Sequence, residues 1–510
     1  MRINFYRLII LVIPAIILTI PIFAAIEKQP TKISMMTSYY ATEPIDSNNV
    51  IWKEMEERTN TKLDISFIPM SNYDEKVNIM IAANSLPEVT LVNNPFTFNI
   101  MSMALNGEIW ELTEVYKRYP ELAQYPNETW RALKYVNGKN YVLPRVKPTI
   151  GGTPMLGIRK DWLDRLGMKL PRTTDELYTV LKAFVEKDPD GDGVKDTVGL
   201  VAVSAADGTS LEMFNGILGA FTHSNIGTLA PRGYWMLDKE KNLQSAVTSV
   251  ELRNAIIFLR RLYKEGLLYK DFATMTRQQM RDFAMSGKVG AVGENIPGTW
   301  TINLGIKKIH PNANLIFLPY LCGPNGIPYA GKTDGYGGGW VIRKKGVSKE
   351  KFHKILAFFN QTSSKELFEL ANYGYKNIHY YKKGDLYIQT KQAKKDLVGT
   401  VYMGNISCRF DKYFYAYNAP NITPEAIAYN KKAVDQQMKV AVPDYTSTLI
   451  SDTWSKYEKE YNKKITDKIL MTILGMSSIQ EWDWFAKKIT SEDLFQKGVK
   501  EMQAALKLRL

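Results

Sequence analysis

The chain has 510 residues, enough for two or three domains with large cores, and its 45% hydrophobic and 23% charged content is that of a globular protein. Lysine and arginine outnumber aspartate and glutamate by 66 to 52, a net charge of +14 that suits anionic surfaces and acidic ligands. No basic cluster interleaved with aromatics points to nucleic acid, and two cysteines, Cys322 and Cys408, exclude a disulfide framework.

Residues 1–26 form a separate segment. Arg2 and Arg7 precede an uncharged run from Leu8 to Ile26, which reads as an export signal cleaved after Ala24 or as an N-terminal membrane anchor. Either reading places the remaining chain outside the cytoplasm. No cysteine lies near this segment, so a thioether lipid anchor is not expected there.

Next come "KISMMTSYY" as a strand, "NVIWKEMEERTN" as a helix and "LDISFIPM" as an alternating strand. In "YDEKVNIMIAANS", Val77, Met80, Ile81 and Asn84 recur at helical spacing, and "LPEVTLVNNP" is a short buried strand. Strands alternating with helices predict an α/β domain with parallel strands. The prolines and paired glycines of "YVLPRVKPTIGGTPMLGIRK" mark a domain crossing before the strand Met155 to Ile158. "TTDELYTVLKAFVEK" opens with a capping box, Thr173 with Glu176, and puts Leu177, Val180, Leu181 and Phe184 on one face.

"KDPDGDGVKDTVGL" follows that helix. Counted from Asp188, carboxylates fall at positions 1, 3, 5 and 9 (Asp188, Asp190, Asp192 and Asp196), Val194 offers its carbonyl at 7, and Gly193 permits a sharp turn at 6. Crowded like charges repel, and this oxygen-rich spacing is the one hard Ca²⁺ prefers; the other reading is a solvated acidic turn. Gly199 stands where an EF-hand needs glutamate, so the loop is EF-like only and the ion's role structural.

Farther on, "LRNAIIFLRRLYKEGLL" is a core helix, "SGKVGAVGENIPGTW" a strand between glycine turns, and "GYGGGWVIRKK" leads into a helix with Phe352, Ile355, Leu356 and Phe359 inward. "GIPYAGKT" fits the P-loop expression, but "DGYGGGW" behind it is a poor helix start, so the match reads as coincidence. The four histidines are scattered, and no HExxH or GxSxG occurs. Aromatics after strands, Tyr39, Tyr40, Trp300, Tyr336 and Trp340, suit the faces of sugar rings in a crevice at strand ends.

The order of "IWKEMEERTNTKLDISFIP", "IAANSLPEVTLVNN", "NGEIWELTEVYKRYPEL" and above all "MLGIRKDWLDRLGMKLPRTTDELYTVLKAFVEKDPDGDGVKDTVGL" resembles the extracellular solute-binding proteins of carbohydrate ABC importers. It is most similar to their larger Gram-positive lipoprotein branch, grouped with alginate- and aldouronate-oligosaccharide binders, and "LANYGYKNIHYY" and "IQEWDWFAKKI" share that likeness. The resemblance implies a two-lobed α/β fold of the periplasmic-binding-protein type II, with a sugar gripped in the cleft by hinge closure and no reaction. It implies Ca²⁺ at Asp188, Asp190, Asp192, the Val194 carbonyl and Asp196, and cleft positions at Tyr39, Tyr40, Asn93, Asn94, Trp300, and Asp334, Tyr336 and Trp340 of "DGYGGGW".

The expected lobes are residues 31–147 with 278–345, and 148–277 with 346–510, the second carrying the calcium loop 188–197. The expected activity is that of a monomeric, extracellular, cell-surface binding subunit that hands an oligosaccharide, an acidic one by its net charge, to membrane permease subunits. A secreted glycan lyase or hydrolase and a membrane-tethered sugar sensor are the rival classes.

Overall fold

The computed structural model describes residues 29–39, 46–135, 137–226, 233–383, 386–397, 400–419 and 421–507. Residues 1–26 and Tyr40 lie outside the described residues. Among the described residues no helix is long and apolar enough to cross a membrane.

Two main sheets, each with its own hydrophobic core, make a two-lobed α/β fold. The first runs in the order Thr61–Pro69, Thr31–Tyr39, Val89–Val92, Tyr336–Ile342, Leu143–Val146. Its first three strands are parallel, as the strand–helix alternation predicts, and Tyr336–Ile342 enters antiparallel between Val89–Val92 and Leu143–Val146. The second sheet has the order Leu315–Leu318, Met155–Arg159, Val289–Glu294, Val198–Val201 and is mixed.

The helices have local causes. Asn49 caps Val50–Thr59 by accepting from the Ile51 N–H at 2.9 Å, and Asn60 ends it in the left-handed region, where asparagine is tolerated. Thr173 and Glu176 form the expected reciprocal box at the start of Thr174–Glu186. Leu177, Val180, Leu181 and Phe184 are buried in the second core, as their spacing requires.

Three expectations need correction. Segment 278–345 does not stay with the first lobe: Val289–Glu294 and Leu315–Leu318 pair in the second sheet, and the chain returns to the first only at Tyr336–Ile342. Conversely, Phe352, Ile355, Leu356 and Phe359 pack in the first core, not the second. The third correction concerns "GYGGGW", which is a strand with a register shift rather than a cleft loop. Its glycines are there because a Cβ on Gly338, at φ +78°, would fall 2.3 Å from the Val92 carbonyl, and one on Gly339 2.5 Å from Val142.

Trp340 is 1% exposed in the first core, its ring beside Phe359 and its indole N–H donating to the Asn405 carbonyl at 3.2 Å. It therefore supports the sheet and is not presented to a ligand. The P-loop-like stretch likewise contains a strand, Pro328–Lys332, paired with Ala441–Pro443, in agreement with coincidence.

Trp340→Ala is expected to destabilise the protein by about 3–5 kcal/mol through lost burial and a residual cavity. Urea unfolding checks this, and a loss below about 1 kcal/mol would contradict a core role.

Candidate binding site at the interlobe hinge

The chain crosses between lobes three times, near residues 147–154, 332–335 and 409–413. The first two crossings run side by side, with the Lys147 N–H donating to the Gly335 carbonyl at 2.8 Å and the Thr333 N–H to the Thr149 carbonyl at 2.9 Å. The third leaves the first lobe at Arg409, whose guanidinium pairs with Glu121 at 2.6 Å, and enters the second at Tyr413, whose hydroxyl donates to Asp435 at 2.9 Å. Asp334 ties the second crossing to a fourth segment by accepting from the Ser447 hydroxyl.

Two cations stand where the first crossing leaves the first sheet. Arg145 donates from Nε to the Gly337 carbonyl at 2.6 Å and from Nη1 to Asn405 Oδ1 at 2.8 Å. Asn405 in turn donates to Thr37 Oγ1 and the Ser38 carbonyl at the end of Thr31–Tyr39. Two residues on, and so on the same side of an extended chain, Lys147 is half-buried. Its ammonium has no acidic partner among the described residues. Burial and the neighbouring Arg145 charge hold its pKa below the usual lysine value.

From the second lobe, Tyr415 packs against Gly152, where a Cβ would lie 2.8 Å from its ring. Burial raises its hydroxyl pKa to about 12 against an opposing effect of Arg145. The hinge thus brings together two uncompensated cations, an aromatic ring and the amide of Asn405. That set can bind an anion beside an aromatic face.

The sequence-predicted positions are distributed unevenly around this place. Tyr39 ends its strand half-buried, and Tyr336 is half-buried against the first core with its backbone opposite Val146, one residue before Lys147. Asn93 donates to Asp74 of helix Met70–Ala82 at 2.8 Å, and Asn94 accepts from the Phe96 N–H at 2.9 Å in a local turn. Trp300, expected in a loop, lies within helix Ile296–Lys307 and is buried with Leu386, Ile422 and Ile427. Arg145, Lys147, Asn405 and Tyr415 were not singled out. The signal for the first two was present as alternating cations in "PRVKP" at the expected crossing.

Below the hinge end of the second sheet lies a buried ionic cluster. Glu294 is fully buried and accepts from Arg277 and Arg281, the latter at 2.7 Å. Burial opposes its charge, but the two guanidiniums outweigh that and keep its pKa below the usual range. Glu212 is 3.9 Å from Arg277 and its Oε2 has no hydrogen-bond partner. Burial raises its pKa to about 7, with Arg277 opposing and Glu294 and Asp207 assisting.

In the EF-like loop, Asp188, Asp190 and Asp192 bring carboxylate oxygens within 4.8 Å of one another. The Gly191 and Gly193 N–H groups both donate to Asp188, and both glycines have positive φ. Asp190 Oδ1 and Asp196 Oδ1 are buried without partners. The donor set is all hard oxygen, so the loop fits a calcium ion. Asp196, however, pairs through Oδ2 with Lys288 and is not part of the three-carboxylate group; the strand pairing that sets the Val198 N–H on the Lys288 carbonyl brings that lysine alongside.

Residues 41–366 match the family model for bacterial extracellular solute-binding protein. The Bacillus subtilis polygalacturonan/rhamnogalacturonan-binding protein YtcQ is 28% identical over 454 residues, covering 89% of this chain and 86% of that one. Among solved structures, the Streptococcus pneumoniae ABC-transporter substrate-binding protein FusA with kestose is 19% identical at a TM-score of 0.68, covering 94% and 99% of the two chains. Its EF-hand mutant with fructo-nystose gives 0.66 at the same identity and coverage. Alginate-binding protein AlgQ2 without calcium ion is 19% identical with a TM-score of 0.67, covering 94% and 98%. These structures share the fold.

Glu212→Gln tests the ionic cluster. A carboxyl whose folded pKa is raised from 4.5 to about 7 costs nothing below pH 4.5, and its penalty grows as pH rises to 7. The variant is expected to gain on the order of 2–3 kcal/mol relative to the native chain at pH 8 and little at pH 5. Melting temperatures at the two pH values give the comparison; an equal gain at both contradicts a buried protonated carboxyl.

Proposed function

The chain belongs to the bacterial extracellular solute-binding protein family, and from that premise we propose that it is the binding subunit of an ABC importer for a uronate-containing oligosaccharide. The observation that carries the acidic ligand is the Arg145–Lys147 pair at the hinge, whose charges no acidic side chain among the described residues neutralises. Holding two cations together in a half-buried place is unfavourable until an anion arrives, so a carboxylate at this point restores the balance. The names of relatives agree in kind: one binds polygalacturonan or rhamnogalacturonan and another alginate.

The first sheet with its core moves as one body and the second sheet with its core as the other. Ligand held by Arg145 and Lys147 gains contacts from the second lobe, such as the Tyr415 ring, only when the bodies close, and that difference shifts the population to the closed form. The closed form then docks on permease subunits at the membrane and releases its cargo unaltered. Tyr39 and Tyr336 flank the bound sugar, and the mature chain works as a monomer at the cell surface, exported or anchored through its first 26 residues.

A calcium ion would be held by Asp188, Asp190 and Asp192, with the Val194 carbonyl and Asp196 as the remaining ligands. It would compensate the carboxylate charges and so keep the loop joining Thr174–Glu186 to Val198–Val201 in one shape.

Lys147→Met is expected to weaken binding of oligogalacturonate about 10- to 100-fold, the worth of one charged hydrogen bond, and to change binding of a neutral oligosaccharide less than threefold. Titration calorimetry decides it, and a native protein that takes only neutral sugars defeats the acidic reading. Uronate affinity should fall with rising pH, starting below the ordinary lysine pKa, because only the protonated amine binds. For calcium, chelation should lower the melting temperature by several degrees and added Ca²⁺ should restore it, an effect lost in Asp190→Asn; indifference of the native chain to chelation refutes the metal.

A further inference from the structure

The first lobe carries a concavity of about 330 Å³, far from the hinge. Trp110, Arg118, Lys344, Lys349, Phe352 and His353 line it. The Trp110 N–H donates to the Ile342 carbonyl at 2.8 Å, at the end of Tyr336–Ile342 opposite the hinge. Six strand steps, about 20 Å, therefore separate this place from Tyr336. The volume is in the range of small-ligand sites.

Its chemistry is not that of an ordinary solvated face. Trp110 stacks on Phe352 with ring centroids 4.5 Å apart, and the Lys344 ammonium sits 5.7 Å from the Trp110 ring. Trp110 Nε1 is buried and has no hydrogen-bond partner among the described residues. Arg118, Lys344 and Lys349 have no acidic partner among the described residues, although surface lysines elsewhere in the chain pair repeatedly with neighbouring carboxylates. The acid on the rim, Glu111, is engaged by Lys139 at 2.7 Å, and His353 is held by the Tyr119 hydroxyl at 2.9 Å. Three cations thus surround an aromatic floor and a buried indole donor.

We propose that this concavity is a second binding site, independent of the hinge, for an anionic sugar unit. The sugar's apolar face rests on the Trp110–Phe352 edge while its acid group meets Arg118, Lys344 and Lys349. A cationic rim over a flat apolar floor selects an acidic, ring-shaped ligand over a neutral sugar or a simple ion. The acid group is a carboxylate or a phosphate, and the probes distinguish these sources.

The test uses the full chain with digalacturonate and with glucose 6-phosphate, titrated by calorimetry. At least one probe is expected to bind with an affinity that falls tenfold or more in the double variant Lys344→Glu, Lys349→Glu, that persists in Lys147→Met, and that weakens steeply with salt. Arg118→Gln, at an exposed position, should shift the affinity in the same direction, which guards against misfolding of the double variant. The proposal is overturned if neither probe's binding responds to the double variant or to Arg118→Gln, or if Lys147→Met alone removes all anion binding. Because Lys147 belongs to the hinge, a failure there leaves the outer site standing, and the reverse holds as well.

Discussion

Two backbone hydrogen bonds, Lys147 N–H to Gly335 and Thr333 N–H to Thr149, hold the outgoing and returning crossings against each other. Everything near the hinge is positioned from that pairing. It sets Lys147 beside the start of Tyr336–Ile342, where the Gly337 carbonyl catches Arg145. Asn405, fixed to the end of Thr31–Tyr39, catches the same guanidinium from the other side. The cations are therefore held by neutral partners, which orient them without cancelling their charge. A carboxylate in either partner's place would have neutralised the site before any ligand reached it.

Charge is handled differently in the second lobe. Glu294 is fully buried yet matched by two guanidiniums, whereas Glu212 is buried with one distant arginine and an unpartnered oxygen. In the EF-like loop three carboxylates meet, and backbone N–H groups donate to Asp188 and Asp192. Each lobe thus holds charge of one sign out of balance, the first where its chain leaves for the other lobe and the second in a loop suited to a cation.

Much of the framework was legible in the sequence because local signals and tertiary packing agreed. The first three strands, the box of Thr173 and Glu176, and the inward faces of Thr174–Glu186 followed from spacing and capping alone. Lobe membership did not, since nothing local to "KVGAVGE" states which sheet the strand will join. Trp300 was misplaced because "GENIPG" looks like a turn, although Asn295 caps Gly298 and Pro297 fits a first helical turn. Trp340 was misjudged because three glycines before it suggest a loop, whereas they answer the close approach of neighbouring strands. Of the five residues expected to hold a metal, three aspartates converge as their spacing implies, while Asp196 meets a lysine ninety-two residues away that no spacing rule could supply.

The chain passes between the lobes three times, not once. A lone strap can swivel about its own axis, but three straps anchored at separate points convert any relative motion into bending about one line. Any relative motion of the lobes would then bring their facing walls back to the same registry, as the jaws of a caliper return along one track.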